Sequence, residues 1–135
     1  MTTPLLCLAL YAAWAMVLVL SIGSWRAMQV LTGKKKPNEF PSGTQHGTDA
    51  YWRLNRAHLN TLENLPIFAA VVVVSHLANL SNPQVDTACI VVIVARVAQS
   101  LIHVSSNTSV AVNLRFTAFL TQLGAIGFII FRLLG

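Results

Sequence analysis

Charge is what this sequence has least of. Charged residues make up 10% of its 135 positions, and only 4 of them are acidic, where an ordinary soluble domain carries roughly 25% charge. So few charges cannot cover a folded soluble surface of this size. A hydrophobic content of 55% excludes a disordered chain, which needs the opposite balance. Cysteine is scarce as well. Cys7 and Cys89 are the only two, too few for a disulfide scaffold, and both are expected to be packing residues. Internal repeats and low-complexity tails are absent. The net charge of +5 is one that nucleic-acid binders share. Here, however, the basic residues are scattered through apolar runs, apart from Lys34, Lys35 and Lys36. No nucleic-acid partner is expected, and the pattern is that of a membrane protein with a basic cytoplasmic loop.

What is present is long apolar runs. A spanning helix needs roughly 20 apolar residues, and the runs predict four, over about 4–31, 51–80, 84–104 and 110–134. The expected fold is an all-α integral membrane protein, a four-transmembrane-helix bundle in one domain over 1–135. The first run has no Lys or Arg before it and exceeds a signal-peptide core of roughly 7–15 residues, so it reads as a retained helix. Loop 32–50 is broken by Gly33, Pro37, Pro41, Gly43 and Gly47. Thr48 or Asp49 is the expected cap of the second helix. Asn82 caps the third, with Pro83 at its first position. Val71 to Val74 is β-like in composition, but the runs are too long and unbroken for the alternation of a membrane barrel. Lysine and arginine distribution puts the first and third loops in the cytoplasm and both termini outside.

Ionisable residues inside spans are functional candidates, because charge in hydrocarbon is costly. The second helix carries Arg53, Arg56, Asn60 and Glu63, which at about 100° per residue fall within an arc of roughly 80°. Asn64 lies beside that stripe and His58 points elsewhere. The third carries Arg96, Gln99, Ser100 and His103 on one face. Arg26 and Arg115 come from the first and fourth helices. All lie in the cytoplasmic half, and the outer half reads as almost purely apolar. Arg26, Arg56, Arg96 and Arg115 face a single spanning acid, Glu63. One ion pair leaves about three cations uncompensated, which an anionic ligand would neutralise. Arginine binds carboxylates bidentately, and Glu63 could hold an ammonium. Several carboxylates plus one ammonium describe a small peptide. The plainer alternatives are a structural pair of Glu63 with Arg56 or Arg96, and Asn60 and Asn64 as interhelical hydrogen-bond glue. Pro66 reads as a kink, His46 as a solvated loop residue, His76 as interfacial, and Trp14 and Trp25 as packing or belt residues.

The segment WRLNRAHLNTLENLP, Trp52 to Pro66, closely resembles the signature of the MAPEG superfamily, membrane-associated proteins in eicosanoid and glutathione metabolism. Arg53, Arg56, His58, Asn60, Glu63, Asn64 and Pro66 match it in order. The ARVAQSLIHV stretch is similar to the family's third helix, and the likeness extends over the whole chain. The resemblance implies a homotrimer, expected in a bacterial inner membrane, with glutathione as co-substrate between neighbouring subunits. It implies no metal. The glutathione-binding set carried over is Arg26, Arg53, Arg56, His58, Asn60, Glu63, Asn64, Arg96, Gln99 and His103, with Arg115 as the catalytic stabiliser of the thiolate. Gln99 and His103 depart from the His or Tyr and Tyr of many eukaryotic members, and Leu59 replaces a basic residue found in some. The implied activity is a glutathione-dependent transferase or peroxidase acting on lipophilic electrophiles or lipid hydroperoxides from the bilayer. Alternatives are a non-enzymatic lipid-binding or scaffold member, a small drug/proton antiporter with Glu63 as the coupling acid, and haem ligation by His58 and His103.

Overall fold

A computed structural model describes the whole chain, Met1–Gly135. It folds as four helices: α1 Thr3–Leu31, α2 Asp49–Leu77, α3 Pro83–Ser105 and α4 Ser109–Leu134. Each is long and apolar enough to cross a membrane. The chain is an integral, multi-pass membrane protein. Only helices and closed barrels satisfy every backbone polar group in hydrocarbon.

Local chemistry sets the helix ends. The Thr48 hydroxyl accepts a hydrogen bond from the Tyr51 amide at 3.2 Å, and the Asn82 side chain accepts from the Gln84 amide at 2.8 Å. Thr108 does the same for Ala111 at 3.3 Å. Each satisfies an amide that the first helical turn leaves orphaned. Helix α2 ends at Leu77, three residues before the predicted Leu80. Asn79 takes a left-handed conformation, φ 54°. The Asn79 and Leu80 amides then turn back to donate to the carbonyls of His76 and Ser75. This closing motif needs a residue that tolerates positive φ, and asparagine tolerates it better than most.

Helix α3 packs most extensively on α4, and α1 on α2, while α3 also touches α1 and α2. Helices α1 and α4 share no contact. The main apolar core fills the end of the bundle nearest the chain termini, where Cys7, Tyr11, Phe68, Val72, Cys89, Val92, Ile126 and Ile129 are buried together. Both cysteines are free and buried there. The Tyr11 and Phe68 rings meet at 5.6 Å between centroids. Pro66 lies inside α2 and removes one ladder amide. One turn earlier, the Tyr11 hydroxyl donates to the Thr61 carbonyl at 3.0 Å, tying α1 to α2 beside the interruption. Large apolar side chains such as Leu10, Leu20, Val94 and Phe116 cover the outer surface, as a hydrocarbon solvent requires.

Candidate functional site

At the opposite end, most of loop 32–48 is exposed, but Phe40, His46 and Gly47 fold back against α1 and α2. Gly47 has φ +74°, and a Cβ there would lie 2.8 Å from the Trp25 ring and 2.9 Å from the Tyr51 ring. Only glycine permits both the conformation and the approach. The Trp25 and Tyr51 rings stack at 3.8 Å between centroids, with Phe40 edge-on to Trp25. His46, read from sequence as solvated, is instead half-buried. Its ring lies 5.2 Å from that of Tyr51. Burial, helped by the nearby charges of Lys35 and Arg26, holds the His46 imidazole below its usual pKa.

This clasp holds Arg26. The guanidinium donates from Nε to the Tyr51 hydroxyl at 2.7 Å and stands over the Phe40 ring, 5.5 Å from its centroid. A cation over an aromatic face is attracted by the ring quadrupole. The side chain is thus fixed where α1 leaves the apolar region.

A second polar cluster lies between α2, α3 and α4. Arg53 donates from Nε to the Val104 carbonyl at 3.0 Å. Asn60 meets His103 at 3.3 Å between Nδ2 and Nδ1. The Thr61 and Ser100 hydroxyls are 3.4 Å apart. Gln99 donates to the Arg115 carbonyl at 3.1 Å and accepts from Gln122 at 3.0 Å. These bonds bring Arg53, Asn60, Gln99, His103 and the backbone of Arg115 into one region. Each is a short spacing on its own helix but a long-range contact in the chain.

The cluster leaves positive charge uncompensated. Arg96 is 1% exposed. Its Nε and Nη2 are buried without a hydrogen-bond partner, as is Nη1 of Arg115. The Tyr11 ring centroid lies 5.8 Å from the Arg96 guanidinium carbon. Glu63 is close enough for its charge to act on Arg96, but no Lys, Arg or His nitrogen comes within the 4.0 Å of an ion pair to any carboxylate in the chain. The alternative reading of Glu63 as a structural pair with Arg56 or Arg96 is therefore not met within one chain. A buried donor left unmade costs its full desolvation penalty, so partnerless guanidinium nitrogens favour an anion or water beside them.

The second-helix stripe does not share one environment. Arg53, His58 and Asn60 are half-buried and Asn64 is buried, whereas Arg56 and Glu63 face outward from the chain. Tyr51, Thr61 and Gln122 join the polar framework without having been singled out in sequence. Gln122 carried a usable signal, a lone amide in an apolar run. Tyr51 carried none, because its partners, Arg26 and Trp25 on α1 and His46 in the loop, are distant in sequence. The far end is also less uniformly apolar than expected: Ser75 is buried there and Asp86 half-buried.

A sequence model described as the MAPEG family matches residues 4–135. No curated protein matches the chain.

Proposed function

The chain belongs to the MAPEG family, and on that premise we propose that it is a membrane-bound glutathione-dependent transferase or peroxidase. The family includes glutathione-dependent enzymes and non-enzymatic members, and its proteins typically act as trimers with glutathione. The observation that carries the enzymatic reading is the buried, partnerless guanidinium nitrogens of Arg96 and Arg115, which an anionic peptide would satisfy. A homotrimer is supported by Arg56 and Glu63, which face outward from one chain within a span where exposed charge is costly. A neighbouring subunit would close that face. The basic first loop supports its cytoplasmic placement, with both termini outside.

In this reading the glutathione carboxylates are held by arginines, Arg26, Arg56 and Arg96 among them. Glu63 takes the ligand ammonium, and Asn60, Gln99 and His103 line the peptide. A free thiol has a pKa near 8.5, so only a few per cent is thiolate at neutral pH. The Arg115 guanidinium favours the charged sulfur, all the more beside a low-dielectric wall. Arg115 also lies in the second turn of α4, near the positive end of its dipole. The thiol proton passes to water. With a chlorinated nitroaromatic, the sulfur attacks the carbon bearing chlorine, the C–S bond forms, and chloride leaves with the C–Cl electron pair.

Turnover of that substrate by purified protein tests the proposal. Arg115→Ala should lower the rate with little change in glutathione affinity and shift the pH–rate profile alkaline. Arg115→Lys should recover part of the rate, as a point charge without the guanidinium fork. Full turnover in Arg115→Ala together with its loss in Arg96→Ala or His103→Phe would move the thiolate role to another residue. No turnover in the unaltered protein would favour a non-enzymatic member.

A further inference from the structure

The end of the bundle nearest the chain termini holds a cavity of about 530 Å³ that the glutathione site does not use. Its walls include Thr3 at the start of α1, Ser75, His76 and Asn79 at the end of α2, and Asp86 on α3. Two of these side chains lack what they need. Ser75 is 2% exposed, and its hydroxyl oxygen is buried without a hydrogen-bond partner. Asp86 is half-buried over Cys7 and Cys89, close enough for its charge to act on both. No cationic nitrogen of the chain lies within 4.0 Å of it, although His76 and Met1 line the same cavity. A partly desolvated carboxylate without a cation, beside a desolvated hydroxyl without a partner, is an incomplete site.

The missing group must be a cation that donates hydrogen bonds. A metal ion fits poorly, because no three His, Cys, Asp or Glu side chains gather anywhere in the chain, and hard cations require several oxygen ligands. A quaternary ammonium has no N–H for Ser75. A primary ammonium has three N–H donors, enough for the Asp86 carboxylate, the Ser75 hydroxyl and the Asn79 side-chain carbonyl. The C-terminal, negative end of α2 borders the cavity, but so do the positive N-terminal ends of α1 and α3, so the preference for a cation rests on the Asp86 carboxylate and not on helix dipoles. It opens where the spanning helices end, at the depth of lipid headgroups.

We propose that this cavity binds a primary ammonium group, presented by an aminophospholipid headgroup or by a free small amine. The test uses the full-length protein in mixed micelles holding equal amounts of phosphatidylethanolamine and phosphatidylcholine, with retained lipid read by native mass spectrometry. The ethanolamine lipid should be retained in preference to the choline lipid. Asp86→Asn should lower its occupancy roughly tenfold, the loss of one charge-assisted hydrogen bond. Ser75→Ala, which changes no charge, should lower it less. Added free ethanolamine identifies the source. If it displaces the lipid, the site reads the ammonium alone; if it does not, the whole headgroup is the ligand. If ethanolamine binds with no lipid retained, and Asp86→Asn abolishes that binding, the ligand is a soluble amine. Equal retention of both lipids, no binding of either probe, or unchanged binding in folded Asp86→Asn and Ser75→Ala overturns the proposal.

Discussion

Phe68 and Arg96 are buried almost equally, 0% and 1% exposed, and both lie against Tyr11, whose ring is 5.6 Å from that of Phe68 and 5.8 Å from the Arg96 guanidinium carbon. Around Phe68, in the half nearest the termini, the neighbours are Tyr11, Val72, Cys89 and other core side chains in direct contact. The apolar packing around Phe68 is complete within a single chain, although further toward the termini the buried Ser75 hydroxyl has no partner. Around Arg96, in the half nearest the α1–α2 loop, two guanidinium nitrogens find no partner, and Arg56 and Glu63 turn away from the chain. Burial alone therefore does not distinguish a core from a site. Completion of the polar groups does.

The sharpest way to break this contrast is to remove a side chain from the apolar core around Phe68. Phe68→Ala leaves a cavity that should cost roughly 3–5 kcal/mol of stability. On the proposed function, protein that survives in detergent should bind glutathione as the unaltered protein does, as read by thermal shift and calorimetry. A loss of affinity without a loss of stability would show that the halves are not separable. In the loop half, Gly47→Val should cost about 2 kcal/mol, from the left-handed backbone and from displacement of the Trp25–Tyr51 stack. It should also weaken glutathione binding, because the clasp that fixes Arg26 opens.

Arg96→Met sharpens the contrast from the other side. Replacing an unpaired buried charge by an apolar chain of similar reach should leave the ligand-free protein as stable or about 1 kcal/mol more so, while glutathione affinity falls about tenfold. A lower melting temperature would mean that Arg96 supports the fold. The smallest effect should come from acid. The folded His46 pKa lies below the value of 6.5 for a free imidazole. The unfolded chain therefore takes up this proton first as pH falls. The stabilisation from neutral His46 is full above about pH 6.5 and is lost as pH drops below it toward the folded value. A pH series of melting temperatures should show a shallow decline there, and His46→Phe should remove it.

Much of the fold was legible because lipid imposes a simple rule. Four apolar runs long enough to span became four helices, with the expected caps Thr48 and Asn82 at two of their starts; the Thr108 cap was not singled out. The end of α2 was less legible, since an asparagine within a polar turn does not announce a left-handed stop. In the site, helical periodicity placed Asn60 and His103 on faces that do meet. It could not say what a face meets, so Arg56 and Glu63 were grouped with Arg53 although the single chain leaves them outside. The clasp was hidden for a different reason. Gly47, Phe40 and His46 lie in a segment whose composition reads as a solvated loop, and only three-dimensional contact with Trp25 and Tyr51 gives them a role.

The missing contact between α1 and α4 bears on how the chain assembles in the bilayer. The first and last helices never need to find each other, so no closure step spans the whole sequence. Helices α1 with α2 and α3 with α4 are the two most extensively packed pairs, and each pair is adjacent in the chain. The α3–α4 pair can form as a hairpin closed by only residues 106–108, and the α1–α2 pair closes the longer loop 32–48; closure cost grows only slowly with loop length. The remaining step is the docking of α3 against α1 and α2, and a sequence of mostly local events favours rapid folding.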